Sequence, residues 1–337
     1  MARVTIAEAL NKAHHAVMAA DSRVVVIGED IVGSTEGEGT TELGGAFGVT
    51  RGLAGVFGRE RVIDTPISEA AFLGMAAGAA MTGLRPIVEV MFCDFLGVCF
   101  DQLMNQTAKL RFLSNGRVKL PLVIRTTMGA GDGSGATHSQ SLHGLVASLP
   151  GLVVACPATA SDAAGLLKSA VASDSPVVLL EHKGLYGFES ELVDELPPVR
   201  LGEGRVVCEG DDVTIVALSA MLHQAQKAAG QLAAGGVQAE VIDPRTVQPL
   251  DSQLILASLK KTGRLLVVDE GAAFAGFADA VLALAAQEGF DSLRAAPKAL
   301  TPLHTPVPYG RAAEAAWLPH AGDIVTAVKT MLTRGPV

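Results

Sequence analysis

Short runs of β-branched and aliphatic residues recur along the chain, each followed by a stretch of helical composition. In the first half these runs are RVVVIGED (Arg23–Asp30), RVID (Arg61–Asp64), PIVEVM (Pro86–Met91), PLVIRT (Pro121–Thr126), LVVAC (Leu152–Cys156) and PVVLLE (Pro176–Glu181). The intervening pieces SEAAFLGMAAGAAMTG and ATASDAAGLLKSAVAS are rich in Ala, Leu and Gly, and the pair Ser161 and Asp162 marks a helix start in the second. Strands alternating with helices predict parallel βαβ units.

The rhythm lapses at FESELVDELPPVR (Phe188–Arg200), which is acidic, lacks a clear period and ends in a Pro-Pro pair. It resumes with DVTIVAL (Asp212–Leu218), a segment rich in Ala and Gln, AEVID (Ala239–Asp243), a helix through SQLILASLKK, and RLLVVDE (Arg264–Glu270). The expectation is an α/β protein of two domains: residues 1–187 around a parallel sheet, a linker over 188–203, and a smaller α/β domain over 204–337. No short internal repeat relates the two.

Composition narrows the class. A hydrophobic fraction of 49% with a mean hydropathy of +0.37 excludes disorder, and an aromatic content of 4% leaves Ala, Val, Leu and Ile to fill the core. That favours helices packed on parallel strands over an aromatic-rich β-sandwich. A formal charge of −9 excludes a nucleic-acid partner, which requires a basic face. The longest uncharged helical stretch, Ala70–Leu84, falls short of the roughly 20 residues a membrane span needs. MARVTIAEAL carries no apolar signal core, so the chain reads as soluble and cytoplasmic. Cys93, Cys99, Cys156 and Cys208 form no CxxC pair and no zinc-ligand spacing; they are expected as free thiols.

Two readings compete for the glycine-rich segment GAGDGSGA (Gly129–Ala136). It contains a loose GxGxxA, but a dinucleotide site wants an acidic residue about twenty positions on, and none stands between Asp132 and Asp162. Gly131-Asp132-Gly133 also matches the start of the Gly-Asp-Gly…Asn motif that holds Mg-diphosphate in thiamine enzymes. The three asparagines, Asn11, Asn105 and Asn115, all precede Gly131. The magnesium half of such a site is therefore missing from this chain, no metal ligands are assigned to it, and a partner chain is implied.

A second constellation is Glu29, Glu69 and His138. Glu29 ends a predicted parallel strand, where ligand-binding groups gather. Glu69 stands where a short strand meets a helix, and a simple capping role competes for it. His138 follows the glycine-rich loop in THSQS. Taken singly, each is more often structural than catalytic.

In order, they belong to a larger pattern. From Arg3 to about Leu332 the chain resembles the β subunits of thiamine-diphosphate-dependent 2-oxo acid dehydrogenases. The resemblance rests on VVVIGEDI, GGAFGVTRGL, RVIDTPISE, GLRPIVEVMF, GATHSQS, PGLVVACPATASDAAGLL, SPVVLLEHK, DDVTIVAL, EVIDPRTVQPLD, KKTGRLLVVDE and HTPVPY. It implies a transketolase-like pyrimidine-binding domain followed by a transketolase C-terminal domain. VMFCDFLGVCFDQLMNQTAKLRF, VIRTTMGAG and LEHKGLY are most similar to acetoin dehydrogenase β subunits, whereas FLSNGRVKLP is closer to pyruvate-type relatives.

The resemblance also implies roles. Glu69 matches the glutamate that hydrogen-bonds the aminopyrimidine nitrogen and exchanges a proton with it. Glu29, Ile67 and Ser68 match the pyrimidine pocket, with Phe92 to Phe95 as its apolar wall and Phe95 nearest the ring. Met91 stands where many relatives carry Gln. His138 matches a histidine near the thiazolium that assists acyl transfer to a lipoyl group. Ala170, Val171 and the loop after them correspond to a potassium site in some relatives. The implied assembly is an α2β2 heterotetramer in which the α subunit holds Mg2+ and the diphosphate, served by a lipoylated dihydrolipoamide acyltransferase. Acetoin leads as substrate, with pyruvate and branched-chain 2-oxo acids as alternatives. A non-catalytic scaffold or regulatory subunit is the rival reading, and the pairing of Glu69 with His138 weighs against it. A stand-alone dehydrogenase lacks its dinucleotide fingerprint.

Overall fold

Each of the nine apolar runs forms a strand in the computed structural model, which describes residues 2–32 and 43–333. The chain folds as two units: residues up to Met128 with Val146–Leu201, and Gly129–Leu145 with the residues from Gly202 onward.

In the first unit the strands are β1 (Ala2–Thr5), β2 (Val24–Gly28), β3 (Val62–Asp64), β4 (Arg85–Phe92), β5 (Val123–Met128), β6 (Val153–Ala155), β7 (Val177–His182) and β8 (Glu189–Leu192). Six of them run parallel in the order β6-β7-β5-β4-β2-β3. β2, β5 and β7 are buried along their whole length. Both sheet faces are covered there, so the sequence shows continuous apolar runs instead of alternation. The helix Ile6–Ala20 packs on the helix Ala160–Ala172. A capping box opens the former: Glu8 N–H donates to Thr5 Oγ1, and Thr5 N–H donates to Glu8 Oε2. Leu10, Ala13, Val17 and Met18 face inward, and burying a Leu or Met of this kind contributes about 1.5–3 kcal/mol.

Three boundaries differ from the sequence reading. The helix Ala160–Ala172 is capped by Thr159, whose hydroxyl accepts from Asp162 N–H, so it starts before the Ser161-Asp162 pair. Thr159 has the extended backbone that a cap requires, and Asp162 serves as the third helical residue. The expected linker 188–203 holds β8, paired antiparallel with β1 at Ala2↔Leu192, and stays with the first unit to Leu201. Its polar ESEL pattern conceals a strand outside the main sheet. Gly129–Leu145, read as part of the first domain, belongs to the second unit because its polar partners lie there.

The second unit contains β9 (Arg205–Cys208), β10 (Val213–Ala217), β11 (Ala239–Asp243), β12 (Thr246–Gln248), β13 (Leu265–Val268) and β14 (Lys298–Leu300). Five of these form a sheet in the order β14-β13-β10-β11-β9, parallel except for the edge strand β9. All four cysteines are free thiols. Among the described residues no helix is long and apolar enough to cross a membrane.

Candidate active site and family

The strand order dictates where a site can form. From β2 the chain passes outward to its neighbour β3, whereas from β4 it passes to β5 on the opposite side. Between the carboxyl ends of β2 and β4 lies the switch point at which parallel sheets bind ligands. Glu29 follows β2, Glu69 opens the helix after β3, and Phe92 ends β4.

Glu29 is only 6% exposed. Its carboxylate accepts the backbone N–H of Ser68, but Oε1 is buried with no hydrogen-bond partner among the described residues. Burial pushes the Glu29 carboxyl above the usual carboxylate range; the negative charges of Glu69 and Asp30 add to this, and the Ser68 amide opposes it. Glu69 is buried on the first turn of the helix Glu69–Met81, and the Ser68 side chain makes no capping bond to that helix. The acid at Glu69 reaches as far as Cys99, whose thiol is pushed up to about 12 by burial and then by Glu69. Ile67, beside this pair, is 85% exposed despite its apolar side chain.

Aromatic rings adjoin the acids. Phe92 and Phe95 meet edge-on with centroids 5.5 Å apart, and Phe47 contacts both Phe92 (5.8 Å) and Tyr186 (5.0 Å). Lys183 Nζ lies 5.6 Å from the Phe92 ring centroid. The β4–β5 register slips between Val90 and Phe92, and the Met91 carbonyl accepts from Thr127 Oγ1 at 2.7 Å. This bulge at Met91 re-aims the end of the strand.

Sequence reasoning missed a charged hub in the same sheet. Arg125 on β5, 1% exposed, donates to Glu89 on β4 (2.7 Å) and twice to Glu181 on β7 (2.8 and 2.6 Å), which also accepts from Tyr186 Oη at 2.6 Å. Burial alone would lower the Arg125 guanidinium; the two glutamates outweigh it and raise it. Burial likewise raises Glu89, against the pull of Arg125. Glu89 also accepts from the Ala46 amide, and a Cβ on the neighbouring Gly45 would collide with its carboxyl. The loop bearing Phe47 is thus tethered to the hub. Buried His14 is held down at about 3 by burial and then by Arg125.

His138 lies in the second unit, half-buried, with Nδ1 3.0 Å from Thr137 Oγ1. The glycine-rich loop before it turns its amides inward. They meet a carboxylate of the chain itself, Glu314, at 2.7 Å from both Gly131 and Gly133. Nearby, buried His143 pairs with Asp269 at 3.0 Å; burial lowers this imidazole, but Asp269 prevails and raises it. At the loop suggested for potassium, Arg85 Nη1 donates to the carbonyls of Val171 (2.7 Å) and Ser173 (3.2 Å), so a guanidinium already engages those oxygens. Among the described residues no group of three or more His, Cys, Asp or Glu could hold a metal ion.

Residues 2–189 match the transketolase pyrimidine-binding domain, and residues 202–324 match the transketolase C-terminal domain. The β subunit of acetoin:2,6-dichlorophenolindophenol oxidoreductase from Cupriavidus necator is 43% identical over 334 residues, covering 99% of this chain and 98% of its own. This chain belongs to the transketolase-like family of dehydrogenase β subunits. Another member, the same subunit from Bacillus subtilis, is 44% identical over 336 residues, 98% of each chain. The pyruvate dehydrogenase E1 β subunit of Rickettsia bellii is 40% identical over 327 residues, 97% of this chain and 98% of its own. Among solved structures, the family's fold recurs in a split-gene transketolase described as an inactive β4 tetramer, with a TM-score of 0.79 at 26% identity over 98% of both chains.

Proposed function

We propose that this chain is the β half of a thiamine-diphosphate-dependent dehydrogenase that cleaves acetoin and passes the acyl fragment to a lipoyl group. One observation carries the reading: two buried carboxyls, Glu29 and Glu69, stand at the switch point, and one buried oxygen of Glu29 has no donor among the described residues. An aminopyrimidine fits this arrangement, because its amino group donates and its ring nitrogen shares a proton. When bound, thiamine diphosphate supplies a nucleophilic thiazolium carbon and an electron sink. Glu69 would hold and exchange the proton at the ring nitrogen, as a positioned carboxyl acting in general acid–base catalysis. Glu29 would accept from the pyrimidine, with Ser68 fixing its carboxylate and Ile67 covering the ring. Phe92 and Phe95 would exclude water, and Met91 would contribute packing in place of a polar contact. His138 would act later, in acyl transfer.

Mg2+ and the diphosphate are assigned to a partner α subunit in an α2β2 assembly, since no asparagine follows Gly131. The glycine-rich loop gives independent support, because its amides already serve Glu314. Acetoin is preferred over pyruvate because the acetoin-type relatives are 43% and 44% identical against 40% for the pyruvate type.

The test is calorimetric titration with thiamine diphosphate and Mg2+, on the chain alone and coexpressed with its α partner, followed by dye reduction with acetoin, pyruvate and branched-chain 2-oxo acids. Only the complex should bind the cofactor and turn over, with acetoin the best substrate. Micromolar binding with turnover by the chain alone would overturn the subunit reading, and a preference for pyruvate would replace the substrate.

A further inference from the structure

We propose that Glu314 is a positioning residue that holds the His138 loop in its working shape. Glu314 stands on the helix Arg311–Trp317 and is completely buried. Its Oε2 accepts the amides of Gly131 and Gly133, both at 2.7 Å, while Oε1 accepts the amide of Gly135 at 3.2 Å and lies 3.5 Å from Ser139 Oγ. The three glycines take φ of +125°, +90° and +72°, a region that side chains disfavour, and so turn their N–H groups inward together. Backbone amides converging in this way form an anion-binding concavity. Here the anion comes from the protein's own chain.

The hold extends directly to His138. The amide of His138 donates to the carbonyl of Gly135 (3.2 Å), and the amide of Gly135 itself donates to Glu314 Oε1. Gly129 N–H donates to the Gln140 carbonyl at 3.0 Å and closes the loop. From the side of the helix, Arg311 Nε donates to the Asp132 carbonyl (3.2 Å) and Gly310 N–H to the Gly133 carbonyl (3.4 Å). Glutamate suits the position because it only accepts; the amide group of a glutamine would turn a donor toward donors. The glycines of the GAGDGSGA motif are thereby explained as the receptor for Glu314, while the Ala130 amide goes to Glu270.

This inference rests on the reading that His138 assists acyl transfer, and the experiment separates the two. In the αβ complex, Glu314→Gln and Glu314→Asp are compared with His138→Ala and with the double variant Glu314→Gln/His138→Ala. Hydrogen exchange is followed in the 129–140 peptide alongside peptides of β10 and β13. Both Glu314 variants should speed exchange in 129–140 and leave the β10 and β13 peptides unchanged; unaltered exchange in 129–140 overturns the proposal, whatever His138→Ala does. Lipoyl transfer should fall by about 10- to 100-fold, the scale on which misplacing a reacting group acts, with dye reduction much less affected. The double variant should be no worse than His138→Ala. Equal loss in both assays, or full additivity, would make Glu314 a general staple and end the proposal. Should Glu314→Gln fail to fold, Glu314→Asp carries the same readouts. No effect of His138→Ala, together with faster exchange in 129–140, would remove the histidine's role while upholding the hold on its loop.

Discussion

Glu29 in the first unit and Glu314 in the second are both buried carboxyls, yet their surroundings are opposite. Glu29 has the Ser68 amide for a partner, two acidic neighbours and, among the described residues, an oxygen without a donor. Glu314 receives three amides and faces a hydroxyl. An unsatisfied buried polar atom costs about 1–3 kcal/mol. The fold provides three amide donors for Glu314 and, among the described residues, leaves one oxygen of Glu29 short of any. The difference teaches how to tell a working acid from a scaffolding acid when both are equally buried: by counting what each still lacks.

The contrast breaks most readily at Glu69, whose charge adds to burial in making Glu29 hard to ionise. In the assembled complex, Glu69→Gln should slow deuterium exchange at the thiazolium carbon by about 100- to 10,000-fold, the usual worth of a general acid–base group. An unchanged rate would reduce Glu69 to an acid that merely suits a helix start.

Arg125 provides a third kind of acid site, in which two glutamates share one cation, with Tyr186 and the Ala46 amide as further partners. Arg125→Met would leave Glu89 and Glu181 buried and uncompensated, a loss of about 3–5 kcal/mol. The melting temperature of the complex should drop markedly, and Phe47 should loosen with it through Glu89 and the Ala46 amide. Unchanged melting would mean that the hub is not what anchors that loop.

The smallest effect concerns Glu29 itself and has a definite sign. Its carboxyl is raised in the folded state, so ionising it opposes folding. That opposition is absent below the ordinary value of about 4.3 and grows as pH rises through the interval up to the native value. Without cofactor, Glu29→Gln should therefore melt above the wild type at pH 7, and the two should converge near about pH 4. A variant less stable at pH 7 would show that Glu29 is a structural acid like Glu314.

Much of this was legible in the sequence, for physical reasons. The nine strands announced themselves because buried parallel sheets demand unbroken Val, Ile and Leu. β1 and β8 did not, since a polar two-stranded ribbon carries no such signature. The helix Ile6–Ala20 could have been read from the Thr5…Glu8 spacing of its capping box. Glu29, Glu69 and His138 stood in family motifs at strand and loop ends. The Arg125 hub went unread, although a signal existed: PIVEVM, PLVIRT and PVVLLE each carry one charge inside an apolar run, and buried charges need partners. Glu314 left no such trace. In RAAEAAW it looks like any solvent-facing helical acid, and only the fold reveals the three amides around it.

The return of Gly129–Leu145 to the second unit bears on how this architecture can be cut, swapped or inherited. A fragment ending at Leu201 would appear to contain one entire module. It would nevertheless strand the amides of Ala130, Gly131, Gly133 and Gly135, whose acceptors, Glu270 and Glu314, lie far downstream. Shuffling that respects chain order alone would separate a lock from its key, so the natural unit of exchange includes both the 129–145 excursion and the downstream residues that receive it.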